Sequence, residues 1–248
     1  MTKAYFNWSS GKDSSLALYK TLNQSEYQVD FLLTNINKDV NRVSMHGLRE
    51  ELLEAQAASI GIPLRKIEFS GNVTMKEYDN TMKTAMESIL KDNYQHCFFG
   101  DIFLEDLKAY RDAKLAEVGI TGLYPLWKQD TKALLQEFLD LGFKAITVCV
   151  NAQYLDKSFV GRVIDEQFIK DLPSNVDVCG ENGEFHTFVF EGPIFKNAVT
   201  FTIGDKVHKT YQPAANDDDN CFQKDKEVNW DTGFWYCDLL PTTAKQDL

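Results

Sequence analysis

Apolar residues open the chain as a short run at positions 4–8, interrupted only by Asn7, which stops abruptly in small and polar residues. A helical spacing follows at once, with Leu18 and Leu22 four apart and Leu16 and Tyr19 three apart. Residues 29–35 read as a buried strand and residues 37–47 as a polar loop. Leu48, Leu52, Ala55 and Ser59, widened by Leu53, Ala57 and Ile60, make a helical stripe that Gly61 stops and Pro63 keeps from resuming. A strand at 64–69, a helix carrying Met75, Tyr78, Met82, Ala85 and Ile89, a strand at 96–99, a helix over about 104–118 and a short strand within 121–127 continue the series. Strands and helices alternating in this way predict right-handed βαβ units and an α/β fold with a doubly wound parallel sheet.

After Trp127 the pattern restarts. Asp130 or Thr131 caps a helix bearing Leu134, Leu135, Phe138 and Leu141, closed by Gly142. A strand at 145–150, a helix over about 157–170 ended by Pro173, a strand-like run after Glu184 and a final strand at 233–239 follow. The expected organisation is therefore residues 1–127, then 128–240 as a second, smaller α+β domain, with 241–248 a frayed tail. No Pro/Gly/Ser-rich linker separates the two parts, so they are expected to be closely docked.

The join between the first strand and helix carries the first candidate chemistry. The opening amides of a helix have no internal acceptor and form a natural anion site. Lys12 adds a positive charge there, and Ser9, Ser10, Ser14 and Ser15 add hydroxyls around Gly11 and Asp13. A Walker A loop is excluded, because Phe6 stands where its first glycine belongs and Asp13 where its Ser/Thr belongs. A dinucleotide fingerprint is excluded by the single glycine. The remaining Ser-x-Gly-x-Asp-Ser pattern resembles the Ser-Gly-Gly-x-Asp-Ser loop of the ATP pyrophosphatase superfamily, with Ser10 in place of its first glycine. A serine held there at φ > 0 would be strained. The bland alternative is a serine-rich helix cap.

On a doubly wound sheet, ligands sit outside the C-terminal ends of the strands, so Gly100 and Asp101, after the fourth strand, are expected to face this loop. Arg111 falls on an apolar helical stripe between Leu107 and Leu115, where it either snorkels, pairs with Asp101 or Glu105, or clamps an anion. The Leu-Tyr-Pro-Leu-Trp cluster ending at Trp127 is either packing or a wall for a flat ligand.

The second constellation is residues 177–190. Glu181 and Glu184 each follow a glycine, and a strand beginning at Glu184 puts Glu184 and His186 on one side. Carboxylate, imidazole and glycine together suit cation binding or proton transfer, and the competing reading is a glycine-rich turn before a core strand. Metal binding there is disfavoured, since there is no His-Glu-x-x-His and the single histidine would need carboxylates from elsewhere. His46, His96 and His208 stand alone and are read as structural or exposed; Cys179 is a weak nucleophile candidate, and the acidic run at 216–220 a solvated loop.

Composition narrows the partners. A net charge of −11 and a pI near 4.9 disfavour nucleic acid, which calls for a basic face. No apolar run approaches membrane-span length and no signal-like segment precedes the first strand. The five cysteines, at 97, 149, 179, 221 and 237, form no Cys-x-x-Cys pair, so a cytoplasmic location is expected.

Taken in order, Ser9 to Ser14, Gly100-Asp101-Ile102 with Arg111, Pro125-Leu126-Trp127, Gly161-Arg162 with Ile164-Asp165, and Cys179 through Thr187 resemble the diphthine–ammonia ligase family. The likeness covers about residues 3–203, has Phe185 where tyrosine is common, and lacks the fused C-terminal domains of larger eukaryotic members. Residues 43–52 look like the family's bacterial branch. The resemblance implies amidation of a carboxylate substrate by ammonia with ATP split to AMP and pyrophosphate. It implies ATP binding by Ser9, Ser10, Gly11, Lys12, Asp13, Ser14, Ser15, Gly100 and Asp101, with Mg²⁺ on Asp13 and Asp101. Catalytic roles fall to Lys12, Asp13, Glu181, Glu184 and His186, and substrate contacts to Arg111, Trp127, Glu181, Asn182 and Gly183. A homo-oligomer is compatible with it. The rival readings are a tRNA-modifying enzyme of the same superfamily and a non-catalytic ATP/AMP sensor, the latter favoured if the backbone at Ser10 is strained.

Overall fold

The computed structural model describes residues 1–43, 47–70, 73–210 and 233–242. His46, Cys221, the acidic run at 216–220 and residues 243–248 lie outside these. The first half alternates β1 (Thr2–Asn7), α1 (Lys12–Leu22), β2 (Tyr27–Asn37), β3 (Arg42–Val43), α2 (Glu50–Ile60), β4 (Leu64–Phe69), α3 (Met75–Lys91), β5 (His96–Phe98), α4 (Glu105–Ala116) and β6 (Thr121–Leu123). Its sheet runs β6-β5-β1-β2, with β4 on the far edge of β2, all parallel; only the two-residue β3 is antiparallel. β3 is unanticipated within the polar 37–47 segment, and it folds back on the end of β2 through Ile36 and Asn37.

Strand alternation splits the core in two. Ala4, Phe6 and Leu32 face α1 and α2 (Leu16, Leu18, Leu52, Leu53), while Tyr5, Phe31 and Leu33 face α3 and α4 (Met86, Ile89, Leu115, Val118). Helices on both faces make the sheet doubly wound. Chain order departs from β1 in opposite directions, so the crevice between the ends of β1 and β5 is where such sheets hold ligands.

The second half contributes α5 (Thr131–Asp140), β7 (Lys144–Asn151), α6 (Glu166–Asp171), β8 (Phe185–Glu191), β9 (Phe201–Thr210) and β10 (Gly233–Pro241). These strands form an antiparallel sheet in the order β8-β7-β10-β9. Asp130 caps α5, accepting from the Ala133 amide at 2.9 Å. The expected long helix at 157–170 is corrected to the six-residue α6. β10 pairs with β7 only at Cys149 to Asn151. The edge it leaves open is taken by the segment around Gly161, which turns at φ 72 and exchanges hydrogen bonds with Thr147, while the Ile164 amide donates to the Ala145 carbonyl. Pairing with β7 thus displaces the helix from 161–164. The tail also begins later than expected, since Pro241 still pairs with Phe201.

One apolar cluster runs from Phe6 and Leu16 through Leu134, Phe138 and Ile146 to Phe188, so α1 and α2 lie sandwiched between the two sheets. Polar ties reinforce the docking. Asp238 of β10 accepts from Arg49 Nε and Nη2 at 2.9 and 2.7 Å and from Arg42 Nη2 at 3.0 Å, which holds its carboxyl below the usual range. Asp238→Ala is expected to cost roughly 1–2 kcal/mol in urea unfolding at neutral pH. Because the native pKa is depressed, this contribution is full above about pH 4 and vanishes as pH falls through the native value, so the variant and parent should converge at low pH.

Candidate active site

β1 ends at Asn7, and the Trp8 amide still donates to the Leu33 carbonyl at 2.8 Å before the chain leaves the sheet. Ser10 then adopts φ 70 and is fully buried. Gly11 is the N-cap of α1 and contributes no side-chain cap, so the serine run is not the capping motif that was the bland alternative. The serines instead fasten the turn on itself. Ser14 and Ser15 hydroxyls donate to the Gly11 carbonyl at 3.0 and 2.9 Å, Ser9 Oγ donates to Ser14 Oγ at 2.9 Å, and Ser10 Oγ has no partner. The amides of Asp13 and Ser14 lie in the first turn of α1, where helix geometry supplies no acceptor.

The loop after β5 closes against this turn. A Cβ on Gly100 would stand 2.7 Å from the Ser14 nitrogen and 2.9 Å from the Asp13 carbonyl carbon, so only glycine permits the approach. Asp101 is thereby brought beside α1, where Arg111 from α4 pairs with it. This selects one of the three readings of Arg111. Glu105 pairs instead with Lys128 at 2.8 Å. Trp127 and Tyr124 sit with ring centres 5.8 Å apart, and Lys108 Nζ lies 5.5 and 4.5 Å from the two rings. This aromatic group lies on α4's side, with Phe99 stacked on Tyr124.

Strand β8 covers the turn from the other side. Thr187 Oγ1 accepts from the Lys12 amide at 3.0 Å, and the Val189 amide donates to the Ser10 carbonyl at 3.0 Å. Lys12 Nζ donates to both Asp13 oxygens at 2.7 and 2.8 Å and to the Cys179 carbonyl, 5.6 Å from the Phe185 ring centre. Burial opposes its charge, but Asp13, Cys179 and Glu181 outweigh that and raise its pKa. The same burial raises the Asp13 carboxyl, against the pull of Lys12.

The structure joins Glu181 to this group and keeps Glu184 apart from it. Burial pushes Glu181 up to about 7, with the negative charges of Asp13 and Asp101 adding, and its Oε2 is buried without a partner. Glu184 is fully buried and accepts from the Asp177 amide (3.0 Å), the Asn182 amide (2.9 Å) and Asn182 Nδ2 (3.1 Å), so it organises the turn that carries Glu181. Asp177 completes that turn by accepting from the Cys179 amide at 2.9 Å. Gly180 and Gly183 take φ 72 and 82 within it. His186 is pulled down to about 4, first by desolvation and then by the Lys12 charge, which leaves a neutral imidazole at physiological pH. Cys179 is buried and pushed up to about 12, against a nucleophilic role. Among the described residues no group of three or more His, Cys, Asp or Glu is placed to hold a metal ion.

Sequence reasoning did not find Gln56, and it gave Thr187, Asp177 and the Cys179 carbonyl, all within the stretch it singled out, no role of their own. The first three are buried or partly buried polar groups within apolar or glycine-rich stretches, and a polar residue inside a core stripe is the signal that could have flagged Gln56. Gly100→Ala is expected to cost about 1–3 kcal/mol by overpacking against the α1 backbone. Gly119→Ala, at φ 76 with open space around it, should show only a backbone cost of about 1 kcal/mol. Chemical denaturation of both variants measures the difference.

No helix among the described residues is long and apolar enough to cross a membrane. The sequence matches the diphthamide synthase N-terminal domain family over residues 2–122 and the diphthamide synthase C-terminal domain family over residues 130–214. A diphthine–ammonia ligase of Danio rerio is 29% identical over 58% of this chain and 62% of its own length. One from Mus musculus is 24% identical over 80% of this chain and 82% of its own. One from Schizosaccharomyces pombe is 31% identical over 39% of this chain and only 17% of its own, so the chain spans less than two thirds of some of these relatives. A solved chain from Methanocaldococcus jannaschii, described as a predicted subunit of tRNA methyltransferase, aligns over 59% of this chain and 80% of its own at 22% identity and a TM-score of 0.40, too loose a likeness to inform fold or function. With both domain families matched in order along one turn-and-sheet architecture, the chain belongs to the diphthamide synthase (diphthine–ammonia ligase) family.

Proposed function

We propose that the protein is an ATP-dependent ligase that adenylates a carboxylate and amidates it with ammonia. The observation that supports this reading is the Lys12 ammonium held between Asp13 and the Cys179 carbonyl, with its charge and that of Asp13 acting on the Glu181 carboxylate. The turn at residues 9–15 would hold the phosphates, with the first-turn amides of α1 aimed at them and Lys12 neutralising the charge that develops on pyrophosphate. Asp13 and Asp101 would hold Mg²⁺. The charges of both carboxylates act on Glu181, and a cation held on the two of them, taking waters and phosphate oxygens as its other ligands, would screen the phosphate charge.

In the first step a carboxylate oxygen of the substrate attacks the α-phosphorus and the bond to the bridging oxygen breaks, releasing pyrophosphate. Ammonia then attacks the acyl carbon, AMP leaves, and the nitrogen gives up a proton. Glu181 is the group suited to hold ammonium or to take that proton, because a carboxylate titrating near neutrality does either. His186, neutral and of low basicity, is suited to polar contact, and Glu184 acts by positioning the Glu181 turn. Arg111, through its pair with Asp101, and Asn182, through the turn that carries Glu181, are substrate-side candidates, with Trp127 and Gly183 proposed beside them from the family pattern.

A non-catalytic ATP/AMP sensor is the second reading, favoured by the positive φ at Ser10. Such a protein binds ATP and releases no pyrophosphate. A tRNA-modifying enzyme has less support, since the described cysteines are buried and the net charge is −11. Substrate-dependent exchange of pyrophosphate into ATP across a panel of carboxylates, with AMP confirmed by mass, separates these readings; binding without exchange for every acid selects the sensor.

The pH dependence follows from Glu181. Below about pH 7 it is protonated and cannot accept a proton; above it the carboxylate can. At constant free ammonia, amide formation should rise with pH through about 7 and then level. Glu181→Gln should remove that rise and slow the step by about 100-fold or more. A rise that persists in the variant would take the role away from Glu181.

A further inference from the structure

Gln56 is fully buried in the middle of α2, on the stripe that also presents Leu52, Leu53 and Ile60 to the core. An amide in such a place needs partners, and it has three. Its Oε1 accepts from the Trp8 indole N–H at 2.7 Å. Its Nε2 donates to the Ser10 carbonyl at 3.1 Å and to the Val189 carbonyl at 2.6 Å. The indole can only donate and the two carbonyls can only accept, so the partners fix which way the amide points. Both N–H groups are used, and no water is needed to complete the set.

These contacts meet at the most constrained backbone position of the site. Ser10 is an L-residue in the left-handed region, a conformation that persists only where its surroundings impose it. Its carbonyl is gripped twice, by Gln56 from α2 and by the Val189 amide from β8. On the N-terminal side, the Trp8 carbonyl accepts from the Thr34 hydroxyl at 2.7 Å while the Trp8 ring is held by Gln56. On the C-terminal side, a Cβ on Gly11 would stand 3.3 Å from the Thr187 carbonyl. The direction of the Ser10 peptide, and with it that of the amides that follow, is therefore set from outside the turn.

We infer that Gln56 is a positioning residue for the phosphate turn: it holds Ser10 in the left-handed conformation and ties that conformation to strand β8. The inference rests on the reading of residues 9–15 as a phosphate site. Gln56 touches no reacting atom and acts through the Ser10 carbonyl. Because the Val189 carbonyl shares the same amide, a shift of β8, which follows directly on the Glu181 turn, reaches the phosphate turn through Gln56.

A double-mutant cycle with Ser10→Gly tests this, because glycine adopts positive φ without the cost a side chain adds. Binding of MgATP and of inorganic pyrophosphate is measured by calorimetry on the full chain, with thermal unfolding alongside. Gln56→Met should weaken binding by about tenfold or more in the Ser10 background and by about threefold or less combined with Ser10→Gly, the interaction expected of two groups sharing one backbone constraint. Gln56→Leu likewise removes the acceptor for Trp8 and both donors without burying a charge, so it should show the same dependence on background and serves if Gln56→Met does not fold. Equal losses in both backgrounds would overturn the positioning role and leave Gln56 as an ordinary core amide. A parent protein that binds neither MgATP nor pyrophosphate would overturn the phosphate-site reading itself, and the inference with it.

Discussion

The arrangement depends on a buried ammonium. Lys12 is nearly inaccessible, and a charge in such a place is tolerable only when its hydrogen-bonding capacity is met by opposite charge and by oriented dipoles. Asp13 supplies the charge and the Cys179 carbonyl the dipole. That carbonyl comes from the second half of the chain, so separating the halves would strip the ammonium of a partner as well as expose apolar surface. Leaving a buried charged donor short of an acceptor costs about 1–3 kcal/mol or more, which makes Lys12 a reason for the halves to stay together and not merely a passenger in the turn. The Glu184-centred turn then has a definite purpose: it delivers the Cys179 carbonyl to Lys12 and the Glu181 carboxylate to the same cluster.

Much of the fold was legible because it rests on periodicity. The strand at 64–69 and the helical stripe ending at Gly61 are found as read, and Gly61 takes the left-handed C-cap that only its lack of a side chain makes cheap. What escaped did so for identifiable reasons. β9 is an edge strand exposed on most of its length, so Phe201, Ile203 and Val207 give no clean alternation of buried and exposed positions. The supposed helix at 157–170 carried helical spacing in Phe159, Ile164 and Phe168, but the edge of β7 left open by β10 was a stronger claim on the same backbone. Local pattern lost to a tertiary hydrogen-bonding demand.

The site divides along the same line. Lys12, Asp13, Asp101 and Glu181 were legible because their side-chain chemistry is specific, and the structure brings them together. The contacts that Thr187 and the Cys179 carbonyl make with Lys12 were not, although both residues lie in the stretch singled out, because a carbonyl belongs to every residue and a threonine in a strand reads as β-propensity. Gln56 is the intermediate case. Its polarity within an apolar stripe is a signal that could have marked it, but nothing in the sequence said that the Ser10 and Val189 carbonyls were what it had been placed to meet.

Ser10 sharpens the argument between ligase and sensor. Strain there was expected to count against catalysis, on the premise that the serine would distort a turn built for glycine. The backbone is at φ 70, which glycine itself would adopt without cost, and two donors hold the carbonyl in place. The strain is thus local to the residue and does not mean that the turn has lost its shape. Positive φ alone therefore weighs less for the sensor than it did when nothing was known of the surrounding hydrogen bonds. The acid–base groups weigh on the other side. A carboxylate raised to about 7 next to a paired lysine suits a reaction that must dispose of an ammonium proton at neutral pH, which is the use the proposed ligase would make of it.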